Sequence, residues 1–248
     1  VARARAAMCE LVDREAGRLQ AAGRMADPHI GAPLETRLLL LYERCPQEAK
    51  SYFRAELHLA GLFPLFFHPG LLDLIEGVLG PEIRLYPNYT ARPKLPEQAR
   101  TLVLWHQDGG YTGGEANTLR MVNVWTPLVP VTVENGCMEF IPRTHRLGMV
   151  PHEMREYYLE IAEEYLASRR QDAIAMEAAP GDVILFHNLL FHRGLPNHAQ
   201  TIRWSLDWRY QDATQPTLRE ENGHLARSVS RPGEVIRTAE QWASLSFS

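Results

Sequence analysis

The stretch TLVLWHQDGG at residues 101–110, read together with DVILFHNLLFHRG at 182–194, decides the fold. Each is built from short apolar or β-branched runs that end in histidine and give way to glycine, too short for helices and bounded as strands are. Working outward, the same kind of run recurs: IRLYPNYTA at 83–91, TLRMVNVWTPL at 118–128, CMEFIP at 137–142, DAIAMEA at 172–178 and TIRWSLDWRY at 201–210. Short strands at this spacing predict an antiparallel sandwich or barrel.

The flanks differ in character. Residues 3–22 are rich in Ala, Arg, Glu and Leu, with Met8, Leu11, Val12 and Leu19 near helical spacing. QEAKSYFRAELHLA at 47–60 is a second expected helix, and LLDLIEGVLG at 71–80 a short one ending in glycine. HEMREYYLEIAEEYLASRR at 152–170 has no Pro or Gly and is expected as one inserted helix, with Met154, Tyr157, Tyr158, Ile161, Tyr165 and Leu166 on its apolar face. The expected organisation is one domain: helical support over 1–80, a β core over 81–211 interrupted by the 152–170 helix, and a C-terminal extension over 212–248. On patterning alone the alternative is a generic α+β domain.

Composition narrows the function. A chain of 248 residues with 45% apolar and 23% charged residues can bury a core without staples. The net charge is −4 and the basic residues are scattered, so the patch that nucleic acid requires is missing. Cys9, Cys45 and Cys137 are odd in number and far apart, which points to a reducing cytoplasm rather than a disulfide scaffold. Runs such as LLLLY at 38–42 are too short for a membrane span. VARARAAMCELVDREAG lacks a signal-peptide core, and because it opens on Val1 further native residues are expected before it. Oligomeric state is not legible.

Chemistry concentrates in the two opening stretches. On a strand, residues i and i+2 share a face, so His106 and Asp108 can present an imidazole nitrogen and a carboxylate oxygen to one ion. Two neutral imidazoles and a carboxylate leave adjacent positions open on an octahedral iron(II), as oxygenases need. An HxD triplet alone does not make a site; a third ligand must come from elsewhere. His187, His192 and His198 are the candidates, and each has the ordinary alternative of a structural histidine. Arg203 stands in a strand that otherwise reads as buried, where a guanidinium calls for an anionic partner. That partner is either a dicarboxylate co-substrate or an internal carboxylate such as Asp207 or Asp182.

WHQD at 105–108, NVWTPL at 123–128, NGCMEFIPRTH at 135–145, GDVILFHNLLFHRGLPN at 181–197 and Arg203 resemble, in order and spacing, the phytanoyl-CoA dioxygenase family over about residues 82–210. The resemblance implies a mainly β fold with flanking helices around a double-stranded β-helix (jelly-roll) core. It also implies iron(II), 2-oxoglutarate and O2, and hydroxylation of an unactivated C–H bond of a small metabolite with release of succinate and CO2. By the same resemblance His106, Asp108 and His192 hold the metal, Arg203 anchors 2-oxoglutarate, and Lys94 and Trp125 lie beside it, with one extra residue between His106 and Trp125. Asn197 matches the family, whereas Gly194 stands where the family often has serine. Asp108 disfavours halogenation, because halogenating relatives lack that carboxylate.

Substrate residues are less legible. GGYTGGEAN at 109–117 is expected as a mobile loop that closes over substrate, with Tyr111 in it; an ordinary hairpin connection is the alternative. Arg143, Arg193 and Arg209 lie near the motifs and are candidates for holding an anionic substrate, or are ion-paired surface arginines. Two rival readings stay open: a cupin-like metal-dependent isomerase or hydrolase, which needs no buried arginine anchor, and a non-catalytic binding or sensing module.

Overall fold

A computed structural model describes residues 1–112 and 114–245. Its strands are β1 (Tyr52–Phe53), β2 (Ile83–Leu85), β3 (Thr90–Lys94), β4 (Met121–Pro127), β5 (Met138–Ile141), β6 (His152–Met154), β7 (Leu159–Ile161), β8 (Ile174–Met176), β9 (Ile184–His187), β10 (Phe191–Gly194), β11 (Arg203–Asp212) and β12 (His224–Arg227). All ladders between them are antiparallel. In the larger sheet β11 is central: β4 pairs along one edge with β9 beyond it, and the other edge is shared by β3 and β2, backed by β1 and β12. A three-stranded sheet has the order β10-β5-β8, and β6 with β7 forms a separate hairpin.

The alternation of β11 shows how the layers arise. Trp204, Leu206, Trp208 and Tyr210 are buried on one face, in a single apolar cluster with Met8, Leu11, Val12 and Leu19 of the helix Ala2–Ala21. Arg203, Ser205, Asp207 and Arg209 occupy the alternate positions and face the other way. Burying each large apolar side chain contributes about 1.5–3 kcal/mol, so the helical layer is what holds the sheet's outer face. Trp204 Nε1 donates to the Leu34 carbonyl and Tyr210 Oη to that of Phe66, so their polar atoms are satisfied as well. The helix Pro69–Leu79 ends at Gly80, whose φ of 89° suits glycine, as expected from the sequence. Among the described residues no single helix is long and apolar enough to cross a membrane.

Five expectations need correction. The 152–170 segment is not one helix but the β6–β7 hairpin, a short helix at Glu163–Leu166 and a 3₁₀ turn at Arg170–Asp172. Its helix-forming composition is overridden by tertiary bonding, in which Ile161 N–H donates to the Trp105 carbonyl and Ala162 N–H to that of Pro151. Only Ile161 and Leu166 of the supposed apolar face are fully buried, against Trp105, Ile141, Val150 and Phe191, while Met154 and Tyr157 are exposed. Residues 47–60 are likewise broken into two 3₁₀ turns around β1, because Tyr52 pairs with Ala91 and stacks on Trp204. The 83–91 run splits into β2 and β3 at Pro87, which has no N–H to donate to a ladder. Residues 102–105 form no strand, and His106 makes only an isolated bridge with His192. The C-terminal stretch is more than an extension, since it supplies β12 and buries Trp242 in the main core.

Candidate active site

His106 and His192 are brought together by backbone bonding rather than by a shared strand. His106 N–H donates to the His192 carbonyl at 2.9 Å and the reverse bond is 3.1 Å, which sets the two rings 4.1 Å apart. Gln107 is extended (φ −110°, ψ 135°), so the i, i+2 alternation survives locally and Asp108 turns to the same side as His106. The fully buried Gln107 side chain faces away, donating to the carbonyls of Gly148 and Leu189 and accepting from Val150 N–H, which locks the segment. His106, Asp108 and His192 each offer a ligand atom, all within 4.8 Å of one another.

Their protonation suits a cation. His106 Nδ1 donates to the Leu104 carbonyl at 2.8 Å and His192 Nδ1 to that of Leu190 at 2.9 Å, which leaves both Nε2 lone pairs for a metal. Burial, with His106 alongside, pushes the His192 imidazole down to about 3, so it is neutral. Burial, the largest influence, would raise the Asp108 carboxyl, but Arg209 and the His106 and His192 rings together outweigh it and hold the group far below the usual carboxylate range. Arg209 donates to Asp108 Oδ1 and Asn123 Nδ2 to Oδ2. Arg209 is itself held by Asn88, whose amide oxygen accepts at 2.8 Å when oriented by that network.

The triad opens into a cavity between the two sheets, whose lining also includes Arg92, Trp125, Phe186, Gly194, Arg203 and Asp207. Arg203 is buried, donates to Ser205 Oγ and lies over the Trp125 ring at 5.5 Å. Asp207 is paired with Arg92, so among the described residues Arg203 has no carboxylate partner, and its Nε is unbonded. Lys94, opposite Arg203 in the β3–β11 register, is also buried with an unbonded Nζ. Burial and the neighbouring Arg203 and Arg92 charges push the Lys94 ammonium down to about 6. Asn197, buried below, donates to the Lys94 and Thr201 carbonyls and fixes the end of β3. The glycine at 194 has a steric reason: a Cβ there would stand 2.9 Å from Lys94 Nζ. Gly136, with φ 87°, is required more strictly, because a Cβ would lie 2.5 Å from the Leu195 carbonyl oxygen.

The remaining candidates separate. Tyr111 is at the site, its ring 5.9 Å from that of His106 and its hydroxyl accepting from Leu159 N–H. It belongs to a 3₁₀ turn, Asp108–Tyr111, followed by another at Gly114–Thr118; Gly113 of the expected loop lies outside the described residues. Arg193 is paired with Glu139 at 2.6 Å and lies over Trp105, and Arg209 is committed to Asp108. Arg143 is exposed on the rim of a separate apolar surface groove. His187 is exposed against His145, and His198 pairs with Glu97 at the surface. Sequence reasoning missed Arg92 and Asn123, and named Asp207 only as an alternative partner of Arg203, whereas it pairs with Arg92. The signal was there in the period of two: Arg92 precedes Lys94 by two, Asp207 follows Arg203 by four, and Asn123 precedes Trp125 by two.

A mostly β architecture with flanking helices and a buried two-histidine, one-carboxylate cluster defines the class to which this protein is compared. Residues 47–205 match the family model described as Phytanoyl-CoA dioxygenase (PhyH), and the chain belongs to that family. A 1-deoxypentalenic acid 11-beta-hydroxylase of Streptomyces arenae is 30% identical over 165 residues, covering 60% of this chain and 56% of the relative. A probable phytanoyl-CoA dioxygenase of Caenorhabditis elegans is 26% identical over 185 residues, covering 67% of this chain and 59% of the relative. The chain thus spans less than two thirds of the length of these relatives. Among solved structures, the apo non-heme monooxygenase ThoJ shares the fold with a TM-score of 0.65 and 22% identity, over 95% of this chain and 79% of that one. The epimerase SnoN in complex with Fe3+, alpha ketoglutarate and nogalamycin RO has a TM-score of 0.52 and 22% identity, over 73% and 77%.

Proposed function

We propose that the chain is one oxygenase domain with a double-stranded β-helix core that hydroxylates a small metabolite using iron(II), 2-oxoglutarate and O2. The observation that carries this reading is the pairing, within one cavity, of a cation-binding triad with the buried guanidinium of Arg203, which has no carboxylate partner among the described residues and has the buried Lys94 amine beside it. The donor set fits iron(II): two imidazole Nε2 atoms and a carboxylate. The unbonded Arg203 Nε and Lys94 Nζ fit a carboxylate arriving from outside, since buried cations are costly without one. When bound, the iron and its co-substrates supply the oxidant for C–H hydroxylation, with succinate and CO2 as the other products.

The chain's own residues do the rest. His106, Asp108 and His192 would hold the metal, with Arg209 and Asn123 orienting the carboxylate and Leu104 and Leu190 carbonyls orienting the rings. Arg203 would pair with the distal carboxylate of 2-oxoglutarate through its planar fork, with Lys94 beside it and Trp125 against the guanidinium. Phe140 and Phe186 pack on His192 and keep that side of the cavity dry. Tyr111 belongs on the substrate side of His106 in this reading. The buried free thiols Cys45 and Cys137 support a reducing, cytoplasmic setting.

Adding iron(II) and then 2-oxoglutarate without O2 should produce a weak visible charge-transfer band, and admitting O2 with substrate should release succinate. A protein that binds iron but gives no band on addition of 2-oxoglutarate would support the isomerase or hydrolase reading. One that gives the band but consumes neither O2 nor 2-oxoglutarate with any substrate class would support a binding module.

A further inference from the structure

The cavity holds one more cation than the proposed cofactors use. Arg92 and Asp207 line it together with the triad, and both remain partly open to it, at 28% and 24% side-chain exposure. Asp207 takes one edge of the guanidinium, accepting from Nε and, at 3.4 Å, from Nη2. No acceptor among the described residues meets Nη1. The guanidinium is thus held along one edge only, at a position that lines the cavity. Its position follows from the sheet: Arg92 shares a face of β3 with Lys94, and Asp207 a face of β11 with Arg203.

Charge points the same way. Arg92, Arg203 and Arg209 face two carboxylates, Asp108 and Asp207, which leaves one positive charge. Iron(II) and a 2-oxoglutarate dianion would cancel each other, so the loaded site keeps that excess in a poorly solvated space, and a protonated Lys94 adds to it. An uncompensated charge of this kind favours a ligand that brings an anion.

We propose that Arg92, steadied by Asp207, is the specificity-determining residue, and that the substrate is an organic acid whose carboxylate pairs with the open Nη1 edge of Arg92. This rests on the oxygenase reading above. The fork geometry suits a carboxylate, and Val103, Met138 and Phe186 supply an apolar wall for the carbon skeleton. Of the sequence candidates for an acid anchor, Arg143 lies on a separate surface groove and neither Arg193 nor Arg209 lines the cavity; besides Arg203, which the proposed reading gives to 2-oxoglutarate, Arg92 is the arginine that does, with Asp207 along one edge of it.

The test is calorimetric titration of the iron(II)- and 2-oxoglutarate-loaded protein, without O2, using a panel of linear and cyclic carboxylic acids, each paired with its methyl ester. At least one acid should bind about tenfold or more tightly than its ester, the scale of a charge-assisted pair. In Arg92→Gln this preference should fall to within about threefold, with 2-oxoglutarate affinity, read from the charge-transfer band, within about twofold of wild type. Because Arg92→Gln strands Asp207, the double variant Arg92→Gln with Asp207→Asn, which replaces the ion pair by two amides, should lose the preference in the same way. The proposal is overturned if no acid binds, if esters match their acids, if the preference survives in the double variant, or if 2-oxoglutarate affinity falls tenfold in Arg92→Gln, which would assign Arg92 to the co-substrate. Absence of the band in wild type would instead defeat the oxygenase reading, a result visible before any acid is added.

Discussion

The two ends of the cavity are built on opposite principles. At the triad every ligand is already held: both imidazoles by backbone carbonyls, and both Asp108 oxygens by Arg209 and Asn123. At the Arg203 and Lys94 end, a buried guanidinium and a buried amine face each other across the β3–β11 ladder with Nε and Nζ unbonded. The first end is preorganised, with Arg209 as the counter-charge of Asp108. The second bears a desolvation cost that, on the proposed reading, an arriving dianion relieves. A cation site that holds its own carboxylate can be made rigid by groups that satisfy that carboxylate in advance, whereas an anion site inside a sheet must concentrate donors and positive charge and bear that cost until the anion binds.

The contrast breaks most visibly at the triad. Replacing His106, Asp108 or His192 by Ala should abolish iron binding and turnover while the protein stays folded, because the core cluster lies on the other face of the large sheet. His187→Ala should leave iron affinity unchanged, since that side chain stacks on His145 at the surface. Metal titration with a melting curve decides this, and loss of iron in His187→Ala but not in His192→Ala would invert the ligand assignment.

At the other end the effect should be smaller and confined to the co-substrate. Arg203→Ala should weaken 2-oxoglutarate by at least about tenfold, from a charge-assisted bond of about 1.5–3 kcal/mol. Arg203→Lys should recover only part, because an ammonium cannot form the paired fork. Iron affinity should hardly move in either. Titration of the charge-transfer band measures all three, and an unchanged 2-oxoglutarate affinity in Arg203→Ala would remove the anchor from the proposal.

The smallest effect sharpens the idea of stored cost. Burial and the Arg203 and Arg92 charges push the Lys94 ammonium from its ordinary 10.5 down to about 6 in the folded protein. Between those values the unfolded chain binds the extra proton, so the ligand-free protein should gain stability as pH rises from about 6 toward 10. Lys94→Met should flatten that slope and be more stable than wild type near pH 7, while binding 2-oxoglutarate more weakly. Chemical denaturation at several pH values reads the slope. Equal slopes in wild type and variant would mean that Lys94 keeps its proton in the folded state.

Local spacing in the sequence was enough for the β character of residues 83–210 outside the 152–170 segment, the first helix, the Gly80 stop, and the candidacy of His106, Asp108 and Arg203. The choice of His192 over His187 and His198 came from resemblance to a family, not from the residues alone. What tertiary structure decided was of another kind. The 152–170 segment has helical composition but gives its backbone bonds to Trp105 and Pro151, partners no local pattern reveals. Arg209 looked like a substrate anchor until the sheet brought it to Asp108, 101 positions away. Arg92, which no motif singled out, meets Asp207 along only one of its edges. Local sequence sets which face of a strand a side chain takes, because alternation is a property of the backbone. Which charge it meets on that face depends on strands distant in the chain, and only their packing settles which groups are left without a partner.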